Sequence, residues 1–143
     1  MIQSKFKFDT LQIHAGSQPD PATGARQTPI YQNTAYVFKD AAHAASLYNL
    51  QEVGYIYSRL TNPTVSVLQE RVATLEGGIG GIACSSGHAA QILALFPLMQ
   101  PGDNIIASNR LYGGSINQLE NMIRKFGWSA KFSDFENLKQ LES

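Results

Sequence analysis

The chain has 143 residues and a mass of 15.6 kDa, about the size of one ordinary domain. Its 11 basic side chains balance its 11 acidic ones, so it has no basic field that could bind nucleic acid or an anionic membrane. Charged residues are only 15% of the chain against a usual ~25%, which predicts that another subunit covers part of the surface. With the single cysteine Cys84, no leader pattern and no run of ~20 apolar residues, we expect a soluble cytoplasmic protein.

Turn-forming residues dominate the chain from Met1 to about Val37, which predicts an extended arm without any long element. They are Gly16, Pro19, Asp20, Pro21, Gly24, Pro29 and Asn33. Asp40 can cap a short helix that reaches Leu47, because a carboxylate accepts hydrogen bonds from the first free amides of a helix. The arm is expected to resume at Gly54, so residues 1–60 are predicted to form one arm and residues 61–143 the start of a domain.

The clearest helix signal follows the arm. Asn62 is placed to cap this helix, Pro63 takes the first helical position, and Gly77 stands just past the end. The apolar residues between them recur at helical spacing and share one face. They are Val65, Leu68, Val72 and Leu75.

Beyond this helix, strand-like runs alternate with helical ones. Strands are predicted at Ile79–Cys84, Asn104–Ser108 and Trp128–Phe132, and Cys84 is interpreted as a buried strand residue. Helices are predicted around 89–96 and around 116–126, and Gly127 is expected to end the second of them. Such alternation is typical of βαβ units, so the sequence predicts an α/β fold with a parallel sheet.

The predicted sheet looks incomplete at the end of the chain. Ser133 and Glu136 have the spacing of a capping box, so a further helix is expected to begin at Asp134 or Phe135. Parallel sheets seldom have only three strands and are normally covered on both faces. We therefore expect the α/β layer to be truncated.

The strongest candidate site lies where the first predicted strand passes into a helix. In the run 84–90 the small residues Ser86 and Gly87, followed by His88, would let backbone amides approach an anion at a helix N-terminus. This is how α/β proteins hold phosphate. Taken alone, the run fits a plain capped strand–helix turn equally well.

Aromatic residues and one arginine form two further candidates. A predicted extended stretch has candidate side chains at alternate positions, Tyr55, Tyr57 and Arg59, which would lie on one side of the chain. An arginine next to a phenol suits the binding of a phosphate or carboxylate. A surface arginine packed among aromatics is the plainer interpretation. Tyr112 follows the second predicted strand, at the edge where open α/β sheets bind ligands, and its ring can stack on a flat ligand or simply occupy a turn.

Other chemistries lack support in the sequence. The three histidines are scattered and Cys84 has no cysteine partner, so no metal site is predicted. No G-x-S-x-G nucleophile motif is present either.

Six segments in a fixed order carry a family resemblance over nearly all 143 residues. They are Phe8-Asp9-Thr10 with Ile13-His14-Ala15-Gly16, Pro29-Ile30-Tyr31-Gln32, Tyr57-Ser58-Arg59 with Asn62-Pro63-Thr64, Leu75-Glu76-Gly77-Gly78, Ser86-Gly87, and Leu111-Tyr112-Gly113-Gly114. In these the chain resembles the N-terminal part of the Cys/Met-metabolism enzymes that use pyridoxal 5'-phosphate (PLP), the transsulfuration family. Its arm from Asp20 to Tyr36 resembles that of the sulfhydrylases that act on O-acetylhomoserine.

The resemblance implies a fold and a site. The fold would be an N-terminal arm plus the start of the large PLP-binding domain of a fold-type I enzyme, similar to aspartate aminotransferase. Ser86, Gly87 and His88 would bind the cofactor phosphate, and Tyr112 would stack on its pyridine ring. Tyr57 and Arg59 would reach the phosphate of a neighbouring subunit, usually within a homotetramer.

The implied reaction is a γ-replacement that converts O-acetylhomoserine and sulfide to homocysteine and acetate. In this family the Schiff-base lysine lies beyond position 143, and no lysine of the chain matches its motif. The lysines are Lys5, Lys7, Lys39, Lys125, Lys131 and Lys139. We therefore expect the 143 residues to be an N-terminal fragment that is inactive alone.

Two alternatives stay open. The chain could be a truncated paralogue without catalysis, acting as an interaction subunit that inserts Tyr57 and Arg59 into a full-length partner. Within the family it could instead belong to a cystathionine γ-synthase or lyase, because those enzymes share the phosphate and tyrosine motifs.

Overall fold

The computed structural model describes residues 6–136, and these divide into two compact units, residues 6–83 and 84–136. The first unit holds the helices α1 (Phe8–His14), α2 (Ala41–Tyr48) and α3 (Pro63–Leu75). The second holds α4 (Gly87–Leu95), strand β1 (Asn104–Ser108), α5 (Gly113–Asn117) and strand β2 (Ser129–Ser133). The predicted division into an arm and a domain near residue 60 concerns the whole protein and stays a prediction.

Two helix starts in the first unit confirm the sequence predictions. Asp40 caps α2 by accepting a hydrogen bond from the His43 amide at 2.8 Å. Asn62 caps α3 by accepting one from the Thr64 amide at 3.0 Å, and Pro63 is the first helical residue. Both helices therefore begin where a local side chain satisfies an otherwise free amide.

Helix α1 was not predicted, since the turn residues around it favoured an extended arm. It spans only seven residues and ends before Gly16, which has a φ of +70°. A Cβ on Gly16 would lie 2.9 Å from the Val67 carbonyl oxygen of α3, so glycine permits both the turn and the close approach. The Arg71 Nε donates a hydrogen bond to the Ala15 carbonyl at 3.0 Å and ties the end of α1 to α3.

The loop between α1 and α2 is shaped by Asp20. Its carboxylate accepts hydrogen bonds from the Thr23 hydroxyl at 2.9 Å and from the amides of Thr23 and Ala22 at 2.8 and 3.1 Å. The Thr23 hydroxyl has the largest effect, and together these donors lower the pKa of Asp20 below its ordinary value. A carboxylate thus closes this turn in its ionised form.

The two strands of the second unit are parallel, as predicted. Asn104 pairs with Ser129 and Ser108 with Ser133 at the ends of the register. The second strand begins at Ser129, one residue later than predicted, and the Trp128 amide instead donates to the Ile123 carbonyl at 3.3 Å. The helix expected after Asp134 falls on residues outside the described range.

The predicted strand at Ile79–Cys84 is wrong. In the described part of the chain these residues form no strand, and Ile79 and Ile82 are 104% and 87% exposed. Cys84 is exposed too, and not the buried strand residue that the sequence indicated. Ile79 and Ile82 are separated by Gly80 and Gly81, and glycine is unfavourable in a strand. A strand also needs a neighbouring strand to pair with, and the described sheet has two strands, β1 and β2.

The core of the second unit lies between the sheet and the helices. Its buried members are Ala107, Leu119, Ile123 and Trp128, and Ile123 is fully buried. Helix α5 continues as a π-helical turn at Gln118–Met122 and a 3₁₀ turn at Ile123–Phe126. Gly127 ends this helix with a φ of +77°, as the sequence predicts.

Candidate functional site

The start of α4 presents free backbone amides. Ser86 has an extended backbone, and its hydroxyl oxygen accepts a hydrogen bond from the Ala89 amide at 3.2 Å. The first bond of the helix runs from the Ala90 amide to the Ser86 carbonyl at 3.0 Å. The amides of Gly87 and His88 therefore precede the helix ladder, at the positive end of the helix dipole, where an anion is favoured.

The space beside Gly87 is open, since a Cβ built on it would meet no described atom within 4 Å. Cys84 lies just before the helix, and its thiol donates a hydrogen bond to the Ser86 carbonyl at 3.3 Å. The structure thus combines a hydroxyl cap, two free amides and open space in three consecutive residues. These are the features that the sequence predicted for an anion site.

Tyr112 lies beside this helix start. It follows the carboxyl end of β1, and its side chain is 76% exposed. Its ring centroid is 6.1 Å from that of His88, and the two ring planes differ by 27°. Two candidate residues that are 24 positions apart in the sequence are therefore neighbours, and one face of the Tyr112 ring can still receive a flat ligand.

Gly114 makes this ring pair possible. A Cβ on Gly114 would lie 2.6 Å from Cε1 of Tyr112 and 2.8 Å from Cε1 of His88, closer than side-chain atoms approach. The adjacent Gly113 differs, because a Cβ there would meet nothing within 4 Å. In the Gly113-Gly114 pair, the second glycine is the one that the ring contact requires.

Two glutamines behind the site were missed by the sequence reasoning. Gln118 donates from Nε2 to the His88 carbonyl at 2.9 Å, and Gln91 donates from Nε2 to the Ser115 hydroxyl at 2.9 Å. Both contacts join α4 to the helix that begins at Gly113. No sequence signal marked these residues, because a glutamine inside a helix usually faces solvent.

Arg110 was also missed, although it lies at the same edge of the sheet as Tyr112. Its guanidinium contacts the carboxylates that follow β2, at 2.6 Å for Glu136 and 3.4 Å for Asp134. All three side chains are partly or largely exposed, so these ion pairs add little stability. They set charges at the carboxyl edge of the strands, where α/β enzymes bind ligands.

Tyr57 and Arg59 lie in the first unit and differ from the prediction in one respect. Tyr57 forms an isolated antiparallel bridge with Ala35, but the backbone then turns, and the amides of Leu60 and Thr61 bond to the Tyr57 carbonyl at 2.9 and 3.0 Å. The extended stretch therefore ends at Tyr57. Arg59 is nevertheless close to Tyr57, with its Cζ 5.3 Å from the ring centroid.

Tyr55 packs elsewhere, with its ring centroid 5.4 Å from that of Tyr36. The pair formed by Tyr57 and Arg59 thus arises from a turn and a cation–π contact, and not from alternation along an extended stretch as predicted.

No described helix is long and apolar enough to cross a membrane. The described residues also contain no cluster of three or more His, Cys, Asp or Glu side chains that could hold a metal ion.

Comparison with known proteins identifies the family. Residues 9–143 match the family described as Cys/Met metabolism PLP-dependent enzymes, so the chain belongs to that family. The chain is 52% identical over 130 residues to O-acetyl-L-homoserine sulfhydrylase 1 of Thermus thermophilus. That match covers 91% of this chain and 31% of the relative, so the chain spans about a third of the length of such enzymes.

Two solved structures have the same fold. An O-acetylhomoserine (thiol)-lyase from Campylobacter jejuni superposes with a TM-score of 0.89 at 44% identity over 96% of this chain and 34% of its own, and it carries an N'-pyridoxyl-lysine-5'-monophosphate at its position 205. A cystathionine γ-lyase from Lactobacillus plantarum superposes with a TM-score of 0.80 at 34% identity over 96% of this chain and 33% of its own. The described residues thus have the fold of a part of the fold-type I enzymes, and the family to which the chain belongs is PLP-dependent.

Proposed function

We propose that the protein catalyses a PLP-dependent γ-replacement in which O-acetylhomoserine and sulfide give homocysteine and acetate. The observation that carries this proposal is the site in the second unit, where free amides and an exposed tyrosine ring lie side by side. The choice of reaction is supported by identity, which is 52% to a named O-acetyl-L-homoserine sulfhydrylase and only 34% to a cystathionine γ-lyase.

The residues of the second unit fit PLP. The cofactor has a dianionic phosphate and a flat aromatic ring, and the site offers both kinds of partner. The amides of Gly87 and His88 and the Ser86 hydroxyl suit the phosphate, with open space beside Gly87. The exposed ring of Tyr112 suits the pyridine face.

PLP, when bound, supplies an electron sink for negative charge that develops on substrate carbons. This chain's own residues contribute binding and orientation. The phosphate ligands would fix one end of the cofactor, and Tyr112 would hold the plane of its ring. The lysine that binds PLP is proposed to lie outside these 143 residues, because the Campylobacter protein carries its pyridoxyl-lysine at position 205.

Tyr57 and Arg59 are proposed to bind the cofactor phosphate of a neighbouring subunit. The Arg59 guanidinium lies against the Tyr57 ring, which limits its freedom and orients a cation beside a phenol. The proposal includes the homotetramer and the cytoplasmic location that the family resemblance implies. It also accounts for the low charge of the chain, because subunit contacts would cover the apolar side chains of α3 that are exposed here, Val65, Leu68 and Val72.

Assays on the protein expressed from its complete coding sequence test this function. With PLP, O-acetylhomoserine and sulfide we expect homocysteine and acetate in equal amounts. If the protein forms cystathionine from O-acylhomoserine and cysteine with a higher kcat/KM, the result would favour a cystathionine γ-synthase. If it cleaves cystathionine with a higher kcat/KM, the result would favour a lyase. PLP binding without any of these reactions would contradict the proposal and favour a non-catalytic interaction subunit.

A further inference from the structure

Gln118 connects the π-helical turn to the first turn of α4. It is the first residue of that turn, it is only 7% exposed, and its Nε2 donates a hydrogen bond to the His88 carbonyl at 2.9 Å. The π-helical turn changes the direction of the side chain relative to a regular helix, and such turns are often found at functional sites. The geometry therefore directs a buried donor at the backbone of the candidate phosphate site.

The contact fixes one peptide group from both ends. The peptide between His88 and Ala89 has its carbonyl bound by Gln118, and its N–H donates to the Ser86 hydroxyl at 3.2 Å. The orientation of this peptide sets ψ of His88, so the two contacts restrain the backbone at a residue that carries one of the two free amides. The His88 side chain extends from the same backbone, and its ring centroid is 6.1 Å from that of Tyr112.

Stability alone does not explain a glutamine at this position. Its Oε1 is buried and has no hydrogen-bond partner among the described residues, which is unfavourable for a polar atom. The His88 carbonyl lies within α4 and can accept the regular helix bond without Gln118. An apolar side chain of the same length would avoid the cost, so the benefit of Gln118 lies in its donor.

We propose that Gln118 is a positioning residue for the cofactor phosphate, acting through the His88–Ala89 peptide. This inference rests on the proposed function, since it requires PLP at the site. Gln91 supplies a matched control. It joins the same two helices through a buried amide whose Oε1 also lacks a partner in the described structure, but it contacts Ser115 and leaves the first turn of α4 untouched.

The test compares Gln118→Met with Gln91→Met in the protein expressed from its complete coding sequence. Methionine keeps the unbranched length of glutamine and removes the donor. For Gln118→Met we expect the Kd for PLP to rise about tenfold, as for loss of one well-aligned hydrogen bond. The ³¹P resonance of the bound phosphate should shift, and the Tm of the apoprotein should stay the same or rise. For Gln91→Met we expect a Kd within about twofold of wild type and an unchanged ³¹P resonance.

Each other outcome contradicts the inference. An unchanged Kd in Gln118→Met, or equal effects in the two variants, would mean that Gln118 only joins the helices. If Gln118→Met does not fold, Gln118→Asn, whose amide is one methylene too short, is compared in its place, and failure of both to fold assigns a purely structural role. A wild-type protein that does not bind PLP would refute the proposed function and this inference together.

Discussion

Replacing Gly114 by alanine should move the two rings of the site without unfolding the protein. A Cβ at this position would lie 2.6 Å from Cε1 of Tyr112 and 2.8 Å from Cε1 of His88. Ordinary contact begins near 3.4 Å, so the Tyr112 ring must move by at least about 0.8 Å. Both colliding atoms lie at the ends of side chains that can rotate, and we therefore expect displacement of the rings rather than damage to the backbone.

The expected effect of Gly114→Ala is large on kcat/KM and small on stability. A displacement near 1 Å of a group that orients the reacting cofactor can cost about 10²-fold in rate. We expect kcat/KM for homocysteine formation to fall about ten- to a hundredfold, with altered visible circular dichroism of the bound PLP. Alanine also has a better helix propensity by up to about 1 kcal/mol, so the Tm should not fall by more than a few degrees.

Gly113→Ala provides the control, because a Cβ at Gly113 meets no described atom within 4 Å. It should keep kcat/KM and the dichroism of PLP while gaining the same helix propensity. The assays are steady-state kinetics and dichroism of the protein expressed from its complete coding sequence. Equal kinetics in the two variants would refute the assignment of Tyr112 as the residue that holds the plane of the PLP ring.

Two further predictions concern the first unit. Asn62→Ala should destabilise the protein by about 2–4 kcal/mol in urea unfolding, because it removes both the α3 cap and the donor to the Tyr31 carbonyl. Asn62→Ser keeps a cap acceptor and should lose less stability, and an equal loss in the two variants would contradict a contribution from the cap. If Arg59 binds the cofactor phosphate of the neighbouring subunit, the variants Arg59→Ala and Ser86→Ala should each be nearly inactive. Coexpression of the two variants should restore about a quarter of wild-type activity, because about half of the dimers are mixed and each mixed dimer has one intact site of two. Activity no higher than that of either variant alone would contradict a shared site.

Local chemistry explains which elements the sequence predicts well. Asp40 and Asn62 cap their helices through amides two or three residues away, and Pro63 needs no partner at all. Gly127 ends its helix through its own positive φ, which depends on no distant residue. Such signals depend on neighbours in the chain, so they can be identified without knowledge of the fold.

Features that depend on distant partners could not be predicted in the same way. Ile79 and Ile82 have the composition of a strand, but a strand exists only when another one pairs with it. Gln118 has no local signal, because its importance arises from a contact with His88, 30 positions away. The contact of Arg59 with Tyr57 depends on a turn that alternation along the chain does not reveal.

Residues 29–31 are joined to the start of α3 by hydrogen bonds between uncharged groups. The Asn62 side chain donates to the Tyr31 carbonyl and the Ser58 hydroxyl, both at 3.0 Å, and the Thr64 hydroxyl donates to the Pro29 carbonyl at 2.8 Å. Bonds between uncharged groups are hardly screened by dissolved ions, unlike the exposed contacts of Arg110. We therefore expect the contact between residues 29–31 and α3 to be insensitive to ionic strength, so that salt can change the charges around the carboxyl edge of the sheet without loosening it.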